Sequence, residues 1–194
     1  MESLRYVAAY FVVVIVPPLY LSWLFIHPLA AIWRKLGCLT YFFVWFFCAF
    51  SIYTLHSIHK NLLSTDYGTN YILVALSVLS FALAVVMAVY YKKHLTIKIL
   101  IGLPELTQDE YPGILLTDGI YSRMRHPRYV GSFFFLLGCA FLANFLGPYI
   151  VVFSLIPVIY LIVFFEEREL NKRFGSEYKK YCQKVPRFIP KGFL

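Results

Sequence analysis

The sequence predicts an all-α integral membrane protein with about five transmembrane helices, and two observations support this fold class. Of its 194 residues, 60% are hydrophobic and only 14% are charged, whereas soluble domains average about 45 to 50% apolar and about 25% charged residues. The apolar residues also form long runs without a single charge, which a bilayer solvates better than a compact core does. This pattern excludes an ordinary soluble domain.

Five uncharged runs define the predicted transmembrane segments. They cover residues 6–26, 37–55, 71–91, 129–143 and 149–165. The first three runs are long enough to cross a hydrocarbon layer of about 30 Å as helices that rise about 1.5 Å per residue. The last two runs are shorter, and only residues 144–148 join them. They predict a tight helical hairpin, and their length leaves open whether it crosses the bilayer completely.

The basic residues predict how the chain is oriented in the membrane. If all five runs cross, 16 of the 18 lysines and arginines fall on one side, and only Arg5 and Lys60 fall on the other. Because cytoplasmic loops carry the excess of basic residues, the N-terminus is expected outside and the C-terminus in the cytoplasm, in the cell membrane or the endoplasmic reticulum. The net charge of +8 is explained by this asymmetry, so we expect no nucleic-acid partner.

Cysteine and histidine spacing argues against a disulfide framework and against a metal site. The four cysteines, at positions 38, 48, 139 and 182, form no C-x-x-C pair, and three lie in apolar runs, where cysteine behaves as a small hydrophobic residue. His56 and His59 are three residues apart and supply only two of the ligands that a zinc ion requires. We therefore predict no metal.

Two charged clusters flank the predicted hairpin. Residues 125–131 read R-H-P-R-Y-V-G, and Glu166 and Glu167 directly follow the last apolar run. A hairpin returns its two ends to one place, so these clusters are expected to meet at the cytoplasmic border of the membrane. If the helix continues past residue 165, Glu166 and Arg173 share one face, because seven residues make nearly two turns. The alternative interpretation is that the charges merely contact lipid headgroups and water.

These motifs together resemble the isoprenylcysteine carboxyl methyltransferases and the wider set of phospholipid methyltransferase-like membrane proteins. The resemblance rests on R-H-P-R-Y-V-G, the apolar hairpin, the paired glutamates, and the closing Y-K-K-Y-C-Q-K-V-P-R-F-I-P at residues 178–190. It covers about half of the chain, from roughly Leu115 to Pro190. It implies S-adenosylmethionine as cofactor and methyl transfer to the carboxylate of a C-terminal prenylated cysteine, with that substrate and membrane lipid as partners.

The chemical groups of this cofactor and of the acceptor carboxylate suggest roles for particular residues. Glu167 would hold the ammonium group of the cofactor, His126 its carboxylate, and Tyr129 its adenine or sulfonium. Arg173, assigned with Glu167 as catalytic, would bind the substrate carboxylate, a task that Arg125 or Arg187 could also perform. The full set of predicted cofactor-binding residues is Leu116, Gly119, Arg125, His126, Pro127, Tyr129, Gly131, Glu166 and Glu167.

The predicted organisation has two parts. Residues 1–91 form three transmembrane helices, and residues 92–194 form the catalytic region with a cytoplasmic connector, the hairpin and C-terminal helices that follow a break at Gly175. The connector, residues 92–128, is either an interfacial segment or a lid over the site.

Rival functions share parts of the same pattern. A phospholipid N-methyltransferase would use the same cofactor with an amine acceptor. A membrane sterol reductase would use NADPH on a similar hairpin. A transporter or a purely structural membrane protein would leave the paired glutamates unexplained.

Overall fold

The computed structural model describes residues 1–26, 28–37, 39–92 and 114–190, and this part of the chain is helical. The helices are α1 (Glu2–Ile26), α2 (Ala30–Leu36), α3 (Leu39–Leu62), α4 (Tyr71–Lys92), α5 (Pro127–Ala143), α6 (Leu146–Phe174) and α7 (Ser176–Lys184), with a 3₁₀ turn at Gly119–Ser122. Within these ranges the only β-type pairing is an isolated bridge between Asp66 and Phe145. The all-α prediction is confirmed. Of the predicted connector, residues 92–128, residues 93–113 lie outside the described residues, and the described part from residue 114 contains the 3₁₀ turn.

The predicted transmembrane segments appear as four long helices and one shorter one. By length and composition α1, α3, α4 and α6 could each cross a membrane, and α5 is an apolar helix of 17 residues. The predicted five-residue hairpin turn was too long, because α6 begins at Leu146 and only Asn144 and Phe145 separate it from α5. Pro148 lies in the first turn of α6. Backbone N–H groups have no acceptor within the helix there, so proline, which lacks an N–H, is tolerated.

Helix α6 is long enough to carry the charged motif out of the membrane. Its 29 residues span about 43 Å at 1.5 Å per residue, whereas a hydrocarbon core is about 30 Å thick. The helix runs without interruption from its apolar part through Glu166 and Arg173 and ends at Gly175, whose φ is 55°. The break predicted at Gly175 is confirmed.

Helix α1 packs against the hairpin in the main apolar core. Val12 and Val16 of α1 meet Leu136 of α5 and Ile159 of α6, all of them buried. A π-helical turn at Phe11–Ile15 widens α1 in this region. The turn ends two residues before Pro17, whose ring would clash with the preceding turn of a regular α-helix. Trp23, one turn before the end of α1, packs against the same core.

Helices α4 and α5 approach each other closely through small residues. A side-chain carbon on Gly138 would lie 2.8 Å from the ring of Phe81, and one on Gly131 would lie 3.1 Å from Cβ of Met87. Such close backbone contact is how membrane helices associate when burial of apolar surface supplies no driving force. This contact places the N-terminal end of α5, with the R-H-P motif, beside the end of α4.

A polar cluster secures the hairpin turn at the opposite end of the bundle. Asn144 has a left-handed conformation, with φ of 53°, and its Nδ2 donates to the carbonyl of Gly68 at 2.8 Å. The buried side chain of Arg5 donates from Nε to the carbonyl of Ala143 at 3.1 Å and forms an ion pair with Asp66. The N-terminal segment and the loop after α3 thus hold the two arms of the hairpin together.

Candidate active site

The R-H-P motif lies where the chain enters α5. His126 caps the helix and Pro127 is its first residue, a position that suits proline because φ is already helical and no N–H is needed. The backbone N–H groups of Arg125 and His126 donate to the carbonyls of Pro186 (2.9 Å) and Arg187 (3.0 Å). The C-terminal tail is therefore hydrogen-bonded to the motif.

Glu167 is the centre of a buried charge cluster. Its Oε1 lies 2.9 Å from Nη1 of Arg125 and 3.1 Å from Nε2 of His126. Its Oε2 lies 2.9 Å from Nε and 2.8 Å from Nη2 of Arg187. Only 10% of the Glu167 side chain is exposed, so these partners are needed to keep a charged carboxylate buried. Hydrogen bonding to Glu167 in turn raises the pKa of Arg187.

Glu166 lies on the other side of the His126 imidazole. Its Oε2 accepts a hydrogen bond from the hydroxyl of Tyr129 at 2.9 Å and lies 4.0 Å from Nδ1 of His126. The Arg128 guanidinium donates to the Tyr129 hydroxyl at 3.3 Å and stacks over Trp23, 5.6 Å from the ring centre. Glu166 and Glu167 thus contact two different groups of side chains, and His126 lies between the two carboxylates.

A cavity opens beside Glu166. Its charged lining residues are Arg125, Arg128, Glu166 and Arg173. Its aromatic lining residues are Trp23, Tyr121, Tyr129, Phe174, Tyr178 and Tyr181. Rings of this kind bind flat heterocycles and cations, while arginines bind carboxylates. The cavity can therefore accept a ligand that carries an aromatic ring, a cation and an anion.

The aromatic wall is joined across chain elements. The Tyr181 hydroxyl of α7 donates to the backbone carbonyl of Tyr121 in the 3₁₀ turn at 2.6 Å. Burial raises the pKa of Tyr121 to about 12 and also raises the pKa of Tyr178 and Tyr181. These three phenols are therefore neutral at physiological pH and present rings and hydroxyl groups rather than charges.

Most of the predicted site residues come together in this cavity. Those that line it are Leu116, Arg125, His126, Pro127, Tyr129, Glu166 and Arg173. Glu167 instead faces away from it, toward the C-terminal tail. Gly131 packs on Met87 of α4, and Gly119 begins the 3₁₀ turn with φ of 60°. These last two residues shape the backbone around the cavity without lining it.

Sequence reasoning missed several lining residues. Trp23 lies inside the first apolar run and had no local signal to distinguish it from other membrane-facing aromatics. Tyr178 and Tyr181 were noted only as part of the closing motif, although both are buried in the wall. Arg187 was considered only as a substitute for Arg173, whereas its guanidinium binds Glu167.

Among the residues that the structure describes, no three histidine, cysteine, aspartate or glutamate side chains are close enough together to hold a metal ion.

Comparison with known proteins agrees with this arrangement. The family model described as "Phospholipid methyltransferase" matches residues 72–177, more than half of the chain. The chain belongs to this family. Over 84 residues it is 43% identical to the Protein-S-isoprenylcysteine O-methyltransferase of Schizosaccharomyces pombe, an alignment that covers 40% of this chain and 33% of that protein. The match thus spans about a third of this relative's length. No solved structure matches the chain.

Proposed function

We propose that the chain is an S-adenosylmethionine-dependent methyltransferase that converts the carboxylate of a C-terminal prenylated cysteine to its methyl ester. One observation carries this proposal: a cavity at the ends of α5 and α6 combines a carboxylate, three arginines and a wall of aromatic rings. Membership of the phospholipid methyltransferase family and the name of the fission-yeast relative support it.

The lining residues fit the chemical groups of the cofactor. Bound there, S-adenosylmethionine would supply an electrophilic methyl group on its sulfonium. We assign the cofactor ammonium to the carboxylate of Glu166, because Glu166 lines the cavity, whereas Glu167 faces the C-terminal tail. Nε of Arg125 is buried and has no hydrogen-bond partner among the described residues, which leaves it available to a carboxylate oxygen.

The charges in the cavity favour an anionic methyl acceptor. Three arginines face it against one glutamate, so the lining carries an excess of two positive charges before any ligand binds. A carboxylic acid with an ordinary pKa of about 4 is ionised at neutral pH and is already a nucleophile. The site therefore needs to orient the acceptor and exclude water rather than remove a proton. We assign the binding of the acceptor carboxylate to Arg173.

An apolar groove next to the cavity suits a prenyl chain. The groove runs between α4 and α5, has a volume of about 570 Å³, and is lined by Phe81, Ala84, Val85, Ala88, Tyr91, Gly131, Ser132 and Phe135. Helix α4, whose Tyr91 lines the groove, also contacts the 3₁₀ turn that carries Tyr121 of the cavity wall. Val85 and Phe135 are exposed, so this groove faces lipid. We propose that the prenyl chain enters sideways from the bilayer, while the cofactor enters from the cytoplasm.

This assignment includes an orientation in the membrane. The ends of α4, α5 and α6 that form the site belong to the side that receives most of the basic residues. The positive-inside rule places that side in the cytoplasm, where a water-soluble cofactor is available.

A second candidate is methylation of a phospholipid amine, which the family description itself favours. An amine of this kind is protonated at neutral pH, so it would have to lose a proton before attack. His126 is the nearest base, but its imidazole lies between the two glutamates and hydrogen-bonds Glu167. We therefore rank this function second.

The test is to incubate the purified chain with labelled S-adenosylmethionine together with either farnesylcysteine or phosphatidylethanolamine. A parallel reaction contains a sterol and NADPH. We expect label in farnesylcysteine, in a bond that mild base hydrolyses as it does an ester. Base-stable label in phosphatidylethanolamine alone would establish the second candidate instead. Reduction of the sterol with NADPH, and no methyl transfer, would overturn both proposals.

A further inference from the structure

A second recess lies behind Glu167, on the side away from the cavity. It is formed by the last turns of α6, by α7 and by the C-terminal tail, and we call it the basic recess. It is lined by Phe164, Glu167, Arg168, Asn171, Tyr178, Lys179, Cys182, Gln183 and Arg187. Its volume of about 440 Å³ falls within the roughly 300 to 1,000 Å³ of small-molecule sites.

Two cations of the basic recess have no partner of their own. Within the described part of the chain, no hydrogen bond or ion pair involves the side chain of Arg168 or Lys179. Arg187 differs, because Nε and Nη2 bind Glu167 while Nη1 donates to the hydroxyl of Tyr160 at 2.8 Å. An anion in the recess would therefore be bound mainly by Arg168 and Lys179, with the amides of Asn171 and Gln183 as further donors.

The basic recess lies at the depth of lipid headgroups. Phe164, one of its lining residues, belongs to the last apolar turn of α6 and is 46% exposed. Arg168 follows one turn later on the same helix, and Lys179 approaches from α7. An apolar rim below two unpaired cations matches the division of a phospholipid into acyl chains and a charged headgroup.

We propose that the basic recess binds the headgroup phosphate of an anionic phospholipid. The bound phosphate lies between Arg168 and Lys179, and the acyl chains lie along the apolar surface at Phe164. This lipid is a ligand of the protein and not its methyl acceptor, because the recess and the cavity share no charged lining residue and have only Tyr178 in common. The site therefore does not depend on which molecule is methylated.

The experiment measures thermal unfolding of the purified full chain in detergent with increasing dioleoylphosphatidylglycerol, and with dioleoylphosphatidylcholine as reference. We expect a saturable rise in melting temperature with the anionic lipid alone. In Arg168→Gln/Lys179→Gln the half-saturating concentration should increase about tenfold or more, because each basic residue contributes about 1 kcal/mol near an anionic lipid surface.

The matched control is Lys172→Gln/Lys180→Gln, which removes one exposed cation from each of the same two helices outside the recess. It should leave the half-saturating concentration within about twofold of the parent value. If the half-saturating lipid concentration increased equally in the two double variants, the lipid would be attracted by surface charge in general, and the proposal would be overturned. A rise in melting temperature of the same size with inorganic phosphate would also overturn the proposal. If Arg168→Gln/Lys179→Gln does not fold, the single variants Arg168→Gln and Lys179→Gln provide the comparison. Each should increase the half-saturating lipid concentration by less than the double variant would.

Discussion

Arg187 and Glu167 form a two-pronged ion pair across twenty residues of sequence. Nε and Nη2 of Arg187 lie 2.9 and 2.8 Å from Oε2 of Glu167, and the other carboxylate oxygen contacts Arg125 and His126 of the R-H-P motif. One buried carboxylate therefore connects the C-terminal tail, α6 and the start of α5. Loss of a partner would leave buried charge without compensation, which makes the cluster sensitive to single substitutions.

The two adjacent glutamates should respond differently to neutralisation. Glu167→Gln is expected to destabilise the protein by up to about 3 to 5 kcal/mol, the scale for breaking a buried ion pair. Glu166→Gln should destabilise the fold less than Glu167→Gln does. It should weaken S-adenosylhomocysteine binding by about 1.5 to 3 kcal/mol, because a hydrogen bond to a charged group is lost. Thermal unfolding and calorimetry measure the two effects. Weaker ligand binding by a Glu167→Gln protein of normal stability would restore the sequence-based assignment of the ammonium site to Glu167.

Arg187→Lys should be less stable than the parent although it keeps the positive charge. A lysine ammonium cannot reproduce the planar two-pronged contact with Glu167 or the bond to the Tyr160 hydroxyl. We expect a lower melting temperature and a parallel loss of S-adenosylhomocysteine affinity, since the tail also hydrogen-bonds the motif. Lys184→Gln, an exposed position in the last turn of α7, is the control. Equal melting temperatures for both variants and the parent would contradict the structural role of this pair.

Arg173→Met should affect the methyl acceptor more than the cofactor. If Arg173 binds the acceptor carboxylate, its loss lowers kcat/KM for farnesylcysteine by about tenfold to a hundredfold, because a hydrogen bond to a charged group contributes about 1.5 to 3 kcal/mol. Affinity for S-adenosylhomocysteine should change little, and Arg173→Lys should recover part of the activity. Near-normal kcat/KM in Arg173→Met would exclude this role.

Filling the groove between α4 and α5 should change the preference for prenyl chain length. Ala88 lines the groove, so Ala88→Phe is expected to lower activity on geranylgeranylcysteine more than on farnesylcysteine, because the longer chain needs more of the groove. Ala82→Phe is the matched control, since Ala82 is exposed on the same helix and does not line the groove. If both variants give the parent's ratio of the two activities, the prenyl chain lies elsewhere.

The Arg5 and Asp66 pair at the far end of the bundle should give a stability that depends on pH. Partial desolvation acts to raise the pKa of Asp66, but hydrogen bonds from the Gly68 N–H and Arg5, with the Arg5 charge, hold it below its ordinary value. The folded state thus binds fewer protons than the unfolded state. The stabilisation is present above the ordinary carboxyl pKa of about 4 and is lost as pH falls through the lowered value.

Asp66→Asn should therefore melt at a lower temperature than the parent at pH 7. The difference should shrink as the pH falls below about 4, where Asp66 is protonated first in the unfolded chain and then, at the lowered pKa, in the folded protein. Melting curves of both proteins at pH 7, 5 and 3 provide the measurement. A difference that stays constant over this range would show that the charge of Asp66 does not contribute.

Composition and local pattern were enough to predict the fold class, and the charged motifs predicted a candidate site at one end of the hairpin. The uncharged runs identified the membrane helices, because a charge in hydrocarbon is costly and its absence is visible residue by residue. The turn between α5 and α6 was predicted too long because Asn144, Gly147 and Pro148 are all common in turns. In the structure only Asn144 serves the turn, since Gly147 and Pro148 fit within the first turn of α6.

The sequence by itself predicted that the two glutamates and the R-H-P motif meet at one end of a helical hairpin. Only the tertiary structure decided which glutamate faces the cavity and which binds Arg187. Neighbouring residues on a helix point about 100° apart, so the pair must divide between two environments. That division depends on how α6 is rotated against α5 and the tail, and this rotation follows from packing among residues such as Leu136, Ile159 and Ile162 that are far apart in sequence.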